Sequence, residues 1–230
     1  MWRFGLRRST YLICFTGVDG SGKTTHAILL QEQLKKLGFS CVYVWSAFRP
    51  FLSYSFFAIT RLLGYWKKTK KNAYTDPLEF APKSIHSKLS LLWSLFLFVD
   101  YQLRVFVKIR VPMLFGKSII CDRYFYDLIM ELHTSRSLTS WLPHFLARGL
   151  PEPVVTFLMT APISLNTSRR QFSSAFFSQR YRVLEELSEN FDFVNIDSSK
   201  DLEQNKERIL IEVARRIPEM KSENEYSFHL

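Results

Sequence analysis

Cysteine is scarce, with only Cys14, Cys41 and Cys121 in 230 residues. Three scattered thiols are too few for a disulfide framework or a cysteine-based metal site. Each lies in or beside an apolar, β-branched run, the pattern of a small buried residue in a reduced, intracellular protein. The five histidines show no ligand spacing, and no internal repeat occurs. Long apolar runs are missing too. The strongest, "LLWSLFLFV" at residues 91–99, reaches nine residues before Asp100, and Arg104 follows one turn later. A spanning helix needs about 20. The opening "MWRFGLRRST" carries basic residues, but no apolar core of signal-peptide length follows it. These absences point to a cytoplasmic protein without a transmembrane segment, and leave a peripheral membrane contact through its aromatic segments open.

Apolar and basic residues are plentiful. Hydrophobic residues make up 47% of the chain, enough to bury a substantial core in one domain. Aromatics reach 16%, with 21 phenylalanines. The net charge is +10, which fits nucleic acid, an anionic membrane surface or a phosphorylated small molecule, and does not choose among them. Part of it is local: Lys67, Lys68, Lys70 and Lys71 form one run that reads as a solvated loop.

Strand and helix periods alternate along the chain. "YLICFTG" reads as a buried parallel strand, residues 23–37 as a helix stopping at Gly38, and "SCVYVW" as a second strand. Residues 51–66 read as an aromatic helix, and "DPLEFAPKS" as a break. Residues 85–114 read as a long helix disturbed at Pro112. "KSIICDRY", "PEPVVTFLMT" and "DFVNID" supply three further strands, with short helices at 138–146 and either side of a Ser/Phe/Arg-rich interruption, and a last helix at 201–217. Such alternation implies an α/β fold whose parallel sheet is covered on both faces. The boundaries are a single domain over 1–217 and a frayed polar tail over 218–230.

Three constellations carry chemistry. Gly17-x-x-x-x-Gly22-Lys23-Thr24 matches the P-loop and sits between a strand and a helix. Residues Gly17, Val18, Asp19, Gly20, Ser21, Gly22, Lys23, Thr24 and Thr25 would turn successive N–H groups and a helix N-terminus onto phosphate oxygens. Lys23 would bridge the β- and γ-phosphates, and the Thr24 hydroxyl would ligate Mg²⁺. Asp122-Arg123 ends the third strand, on the sheet edge where ligands of open α/β sheets bind. There Asp122 can hold the metal directly or through water, and Arg123 can fork onto phosphate. Arg169, Arg170, Arg180 and Arg182 bracket the glycine-free stretch "TSRRQFSSAFFSQRYR", which suits a flap bringing positive charge to a transferring phosphoryl group and excluding water. The alternative reading is a basic helical hairpin facing solvent.

Through "FTGVDGSGKTT", "CDRY" and the Arg-rich flap followed by "YRVLEEL", residues 11–217 resemble the thymidylate kinase family of P-loop phosphotransferases. The resemblance implies a P-loop NTPase fold with a five-stranded parallel sheet of order 2-3-1-4-5 flanked by helices. It also implies a LID at about 169–182, ATP with Mg²⁺, and a homodimer. Asp19 matches the P-loop acidic residue that approaches the acceptor sugar. Gly20 stands where some members have arginine, and members without it place the basic residue in the LID, which Arg169 to Arg182, with Arg170 and Arg180 among them, would supply. Arg49 in "SAFRP" is similar to the acceptor-phosphate arginine, without the usual "REP" glutamate. The long helix has Asp100-Tyr101 in place of Asp/Asn-Arg, and Leu97 flanked by Phe96 and Phe98 at the stacking position. After "DRY", Asp127 replaces a serine. The donor side matches and the base-reading side departs.

The resemblance implies ATP-dependent phosphoryl transfer to a nucleoside monophosphate, with dTMP the family default. A phosphate acceptor has a second pKa near 6, so it is mostly dianionic at neutral pH and attacks without a protein base. A hydroxyl acceptor would want a carboxylate, which "SAFRP" lacks, leaving Asp19 or Asp122. A kinase of a sugar, nucleoside or lipid headgroup is the alternative. A P-loop NTPase switch or nucleic-acid binder is a third reading, and no interleaving of stacking aromatics with basic residues on one strand supports it.

Overall fold

The computed structural model describes residues 9–47, 55, 58, 59, 62, 66–68, 80–82, 88–134, 147–164, 174–218 and 220. Its main sheet contains β1 (Leu12–Gly17), β2 (Cys41–Trp45), β5 (Ser118–Asp122), β6 (Val155–Thr160) and β7 (Phe193–Asp197). All five run parallel in the order β2-β5-β1-β6-β7, which is 2-3-1-4-5 when only these strands are counted. The expected fold class is therefore the observed one. Between β2 and β5, β3 (Trp66–Lys68) and β4 (Phe80–Pro82) pair antiparallel as a separate small sheet.

The central strand β1 is buried along its whole length, as an uninterrupted apolar run predicts when both sheet faces are covered. The two-residue period then sorts its side chains. Ile13 and Phe15 join Ala27, Leu30 and Leu34 of α1 (Lys23–Lys36) and Ile209 and Val213 of α6 (Leu202–Arg216) on one face. Leu12 and Cys14 face the other way, onto Leu97, Tyr101 and Val105 of α2 (Lys88–Val105). The four-residue spacing of Leu97, Tyr101, Val105 and Ile109 is the buried stripe of that long helical segment. A third cluster joins Met130 of α4 (Phe125–Thr134) to Phe177, Val183 and Leu184 of α5 (Ser174–Ser188). The three cysteines are buried, as expected.

Several local expectations are corrected. The long helix is disturbed before Pro112, not at it. After Val105 comes a π-helical turn, Phe106–Arg110, then α3 (Val111–Leu114), and the Val111 N–H donates to the Phe106 carbonyl, five residues back. Proline lacks an N–H and its ring crowds the carbonyl four residues earlier, so a widened turn ahead of it absorbs the clash. Trp66 belongs to a strand and not to the expected aromatic helix, and Phe80–Pro82 within the expected break is a strand as well. Three-residue strands are too short for either period to show. In the tail, Pro218 and Met220 are helical and Met220 is buried in the first cluster, because the apolar spacing Val213, Ile217, Met220 continues past Arg216. The expected helix at 138–146 and residues 221–230 lie outside the described residues. Among the described residues no helix is long and apolar enough to cross a membrane.

Candidate active site

Parallel strands in register deliver their C-terminal ends to one edge. Phe15 and Trp45 both pair with Asp122, and Gly17 pairs with Met159. The P-loop leaves β1 there. Gly17 has φ +144°, and a Cβ on it would lie 2.4 Å from the Met159 carbonyl oxygen, so the loop can pass this close to β6 only without a side chain. Gly20 and Gly22 also have positive φ. Val18 is fully buried in the third cluster and pins the loop from below. The Ser21 N–H closes a turn on the Val18 carbonyl at 3.2 Å. α1 starts at Lys23, whose neighbours in the first turn carry N–H groups without partners inside the helix, the usual seat of an anion. Thr24 and Thr25 are exposed at that end.

Lys23 is 4% exposed, and its Nζ donates to the carbonyls of Gly17 and Val18 at 2.7 Å each. Burial, helped by the Arg123 charge, lowers its pKa from the ordinary 10.5 to about 8, although Asp127, Asp19 and Asp122 oppose this. The ammonium is thus held inside the loop that phosphate oxygens would enter.

Asp122 is fully buried. Its Oδ2 accepts from the Thr24 hydroxyl at 2.6 Å and from the Tyr43 phenol at 2.8 Å. Burial first, then the bond and the charge of Asp122, push the Tyr43 hydroxyl well above its ordinary value, so it stays a donor. Among the described residues Asp122 Oδ1 has no hydrogen-bond partner. A buried anionic oxygen left open beside a threonine hydroxyl suits a divalent cation. No cluster of three or more His, Cys, Asp or Glu accompanies it among the described residues. Mg²⁺ needs none, since it is typically bound by one or two carboxylates together with water and substrate phosphates.

Arg123, directly after β5, has φ +71°, the left-handed region that is costly for a side chain. The surroundings over-determine it. Its N–H donates to Phe15 O at 2.9 Å, its carbonyl accepts from Cys121 Sγ at 3.1 Å, and its guanidinium contacts both Asp19 and Asp127. Burial works against its charge, yet Asp127 and Asp19 raise its pKa. Arg180 reaches in from α5 and donates to Asp19 Oδ2 at 3.0 Å. Two guanidinium groups therefore share the Asp19 carboxylate. Burial favours its neutral form, but Arg123, Lys23 and Arg180 together hold it at about 2. Beneath them, Asp127 accepts from the Thr16 hydroxyl at 2.9 Å and the Tyr124 N–H at 3.3 Å, and faces Arg123 at 3.5 Å. Burial pushes the Asp127 carboxyl up, opposed by Arg123 and Lys23.

The structure thus brings Lys23, Thr24, Asp19, Asp122, Arg123 and Arg180 to one place. Other expected residues fare differently. Arg49, Arg169 and Arg170 lie outside the described residues. The expected interruption at 169–182 is helical from Ser174, so residues 174–182 are the first turns of α5, with Arg180 buried and Arg182 exposed. The acceptor-side residues of α2 sit deeper than an open binding face requires. Phe98 is half-buried against the second cluster, Asp100 is buried, and Tyr101 has no accessible surface among Cys14, Cys121 and Tyr124. Tyr101 falls on the stripe that packs α2 against the sheet, which is why it is a core residue here. Arg104 and Lys108 donate to the carbonyls of Ala47 and Trp45 at 2.7 and 3.3 Å, tying the helical segment to the end of β2.

Tyr43, Thr16 and Asp127 carry roles that sequence reasoning did not assign. Tyr43 precedes Trp45 by two residues and so shares its strand face, a usable hint once the register with β5 is known. Asp127 is a charged residue in an otherwise apolar helix start, a pattern that signals a buried polar partner.

No protein-family model matches the chain. Over 201 residues, 84% of this chain and 90% of the relative, it is 24% identical to a protein of Sulfurisphaera tokodaii named "Probable thymidylate kinase". The similarity covers most of the chain and supports a distant, thymidylate kinase-like relationship.

Proposed function

We propose that the protein is an ATP-dependent phosphotransferase whose acceptor is a nucleoside monophosphate, with dTMP the first to test. One observation carries this reading. A P-loop with a buried lysine, a Thr24–Asp122 pair with one open carboxylate oxygen, and two arginines gathered on Asp19 converge at one sheet edge. The named similarity to a thymidylate kinase supports the same class.

The P-loop amides and Lys23 would bind and orient the triphosphate of ATP. Thr24 and Asp122 would hold Mg²⁺, which when bound neutralises phosphate charge. Arg123 and Arg180 are supplied with a carboxylate that phosphoryl oxygens can replace, so both would move from Asp19 to the transferring group. A carboxyl held at about 2 is a poor proton acceptor at neutral pH, which disfavours Asp19 as a general base. Asp122 Oδ2 already receives two hydroxyl protons. Both points favour an acceptor that arrives ionised, a phosphate, over a sugar, nucleoside or lipid hydroxyl. Arg49 would bind that phosphate, with Phe98 and Asp100 on the base side, whereas Tyr101, packed in the core, takes no part. The remainder of the reading is one kinase domain through residue 217, a LID over 169–182, and a cytoplasmic homodimer. Exposed Leu92, Leu95, Val99, Leu103 and Phe106, opposite the buried stripe of α2, would suit the dimer contact.

The test is ATP consumption with a panel of nucleoside monophosphates, nucleosides, sugars and lipid headgroups. Transfer to a monophosphate, lost in Lys23→Ala with the fold retained by circular dichroism, is the expected result. Near-normal turnover in Lys23→Ala refutes the site. Transfer only to hydroxyl acceptors refutes the acceptor class. Arg49→Ala should raise the acceptor KM far more than that of ATP.

A further inference from the structure

Asp122 is asymmetric. Its Oδ2 receives two hydroxyl protons, from Thr24 and Tyr43, while its buried Oδ1 receives none among the described residues. The two donors come from different elements. Thr24 is in the first turn of α1, and Tyr43 is in β2, paired with Ile120 two residues before Asp122. Tyr43 therefore shares the sheet face of Asp122, and its phenol reaches forward along the strand to the carboxylate. The ring is half-buried against the first cluster and turns about only two side-chain bonds, so the hydroxyl is a fixed point.

We infer that Tyr43 is a positioning residue that makes the site selective for Mg²⁺. It does so by fixing the rotation of the Asp122 carboxylate, which leaves Oδ1 as the oxygen available to the cation. This rests on Thr24 and Asp122 being the metal-holding pair of the proposed kinase. Thr24 alone cannot fix the carboxylate, because one donor on one oxygen leaves rotation about the side-chain bond. A second donor on the same oxygen, from another element, removes it. Mg²⁺ demands near-octahedral geometry and tolerates little misplacement of a ligand, whereas Ca²⁺ accepts a flexible, larger shell. Loss of the phenol should therefore cost Mg²⁺ more than Ca²⁺. If Tyr43 only solvated a buried charge, its loss would not discriminate between ions.

The test is calorimetric ADP binding to the full chain in EDTA, in Mg²⁺ and in Ca²⁺, for wild type and Tyr43→Phe. The expected result is unchanged affinity in EDTA, about a tenfold smaller enhancement by Mg²⁺, and a much smaller change with Ca²⁺. Asp122→Asn should lower the Mg²⁺ enhancement by itself, and adding Tyr43→Phe to it should cost nothing more. Equal losses with both ions, loss in EDTA as well, an additive double variant, or no loss at all would each overturn the inference. Failure of the underlying reading shows separately: wild-type ADP affinity would not respond to Mg²⁺, or Thr24→Val would keep the full Mg²⁺ enhancement.

Discussion

Nucleotide binding should take up a proton at Lys23 under mildly alkaline conditions. The free protein holds this ammonium at a pKa of about 8, chiefly because it is buried. About half of the lysines are then neutral at pH 8, about nine-tenths at pH 9 and about one-tenth at pH 7. Phosphate oxygens entering the loop restore the charge, so binding should consume about 0.5 proton at pH 8 and 0.9 at pH 9. The same shift has a sign for stability. The folded pKa lies below the unfolded one, so between pH 8 and 10.5 the unfolded chain binds more protons and stability rises with pH. Holding the charged form at neutral pH costs roughly 3 kcal/mol, and a bound triphosphate relieves that cost. The assay is calorimetric ADP titration at pH 7, 8 and 9 in two buffers of different ionisation enthalpy. Near neutral pH the buffer dependence should be small, and by pH 9 it should approach one proton. Lys23→Arg stays charged and should flatten it. An absent buffer dependence at pH 8 and 9, or the same dependence in Lys23→Arg, refutes the argument.

Three further outcomes follow from the packing around the site. Gly17→Ala should lower stability by roughly 2–4 kcal/mol in urea unfolding, because φ +144° is strained for alanine and its Cβ would meet the Met159 carbonyl; an unchanged midpoint contradicts this. Asp127→Ala should cost about 3 kcal/mol by removing a buried partner of Thr16 and Tyr124 and leaving half-buried Arg123 with Asp19 alone, while Asp127→Asn, which still accepts from Thr16 and Tyr124, should cost less than half of that. Equal losses would show that charge is not what Asp127 supplies. Asp19, with its pKa lowered from 3.8 to about 2, should contribute about 2 kcal/mol at pH values above 3.8, lost as the pH falls through 2. Urea midpoints of Asp19→Asn between pH 2 and 5 should therefore vary less than those of wild type, and a parallel curve would remove Asp19 from the account.

Much of the fold is legible in the residues. The five segments whose pattern reads as strands are the five parallel strands of the main sheet, and the P-loop spacing puts Lys23 and Thr24 at a helix start beside the central strand. Asp122 and Arg123 were readable because a carboxylate and a guanidinium at a strand's end fall on the ligand-binding edge. The three-residue strands were not readable, since neither period has room to appear. The place of Tyr101 does not follow from the Asp100-Tyr101 pair but from its four-residue spacing with Leu97 and Val105, which puts it on the stripe facing the sheet. The helical start of α5 was hidden by a Ser/Phe/Arg composition that suits a flap as well as a helix.

The sequence by itself determined the α/β class, the strand that carries the phosphate loop, and the chemical types available at its end. These are local properties, set by side-chain period and by the backbone freedom of a few glycines. Only the tertiary structure decided which groups share a proton or a charge: Tyr43 with Thr24 on one oxygen of Asp122, Arg123 with Arg180 on Asp19, and Asp127 beneath Arg123. Those pairings join residues from different strands and helices, and their register and packing depend on the whole sheet rather than on any one segment.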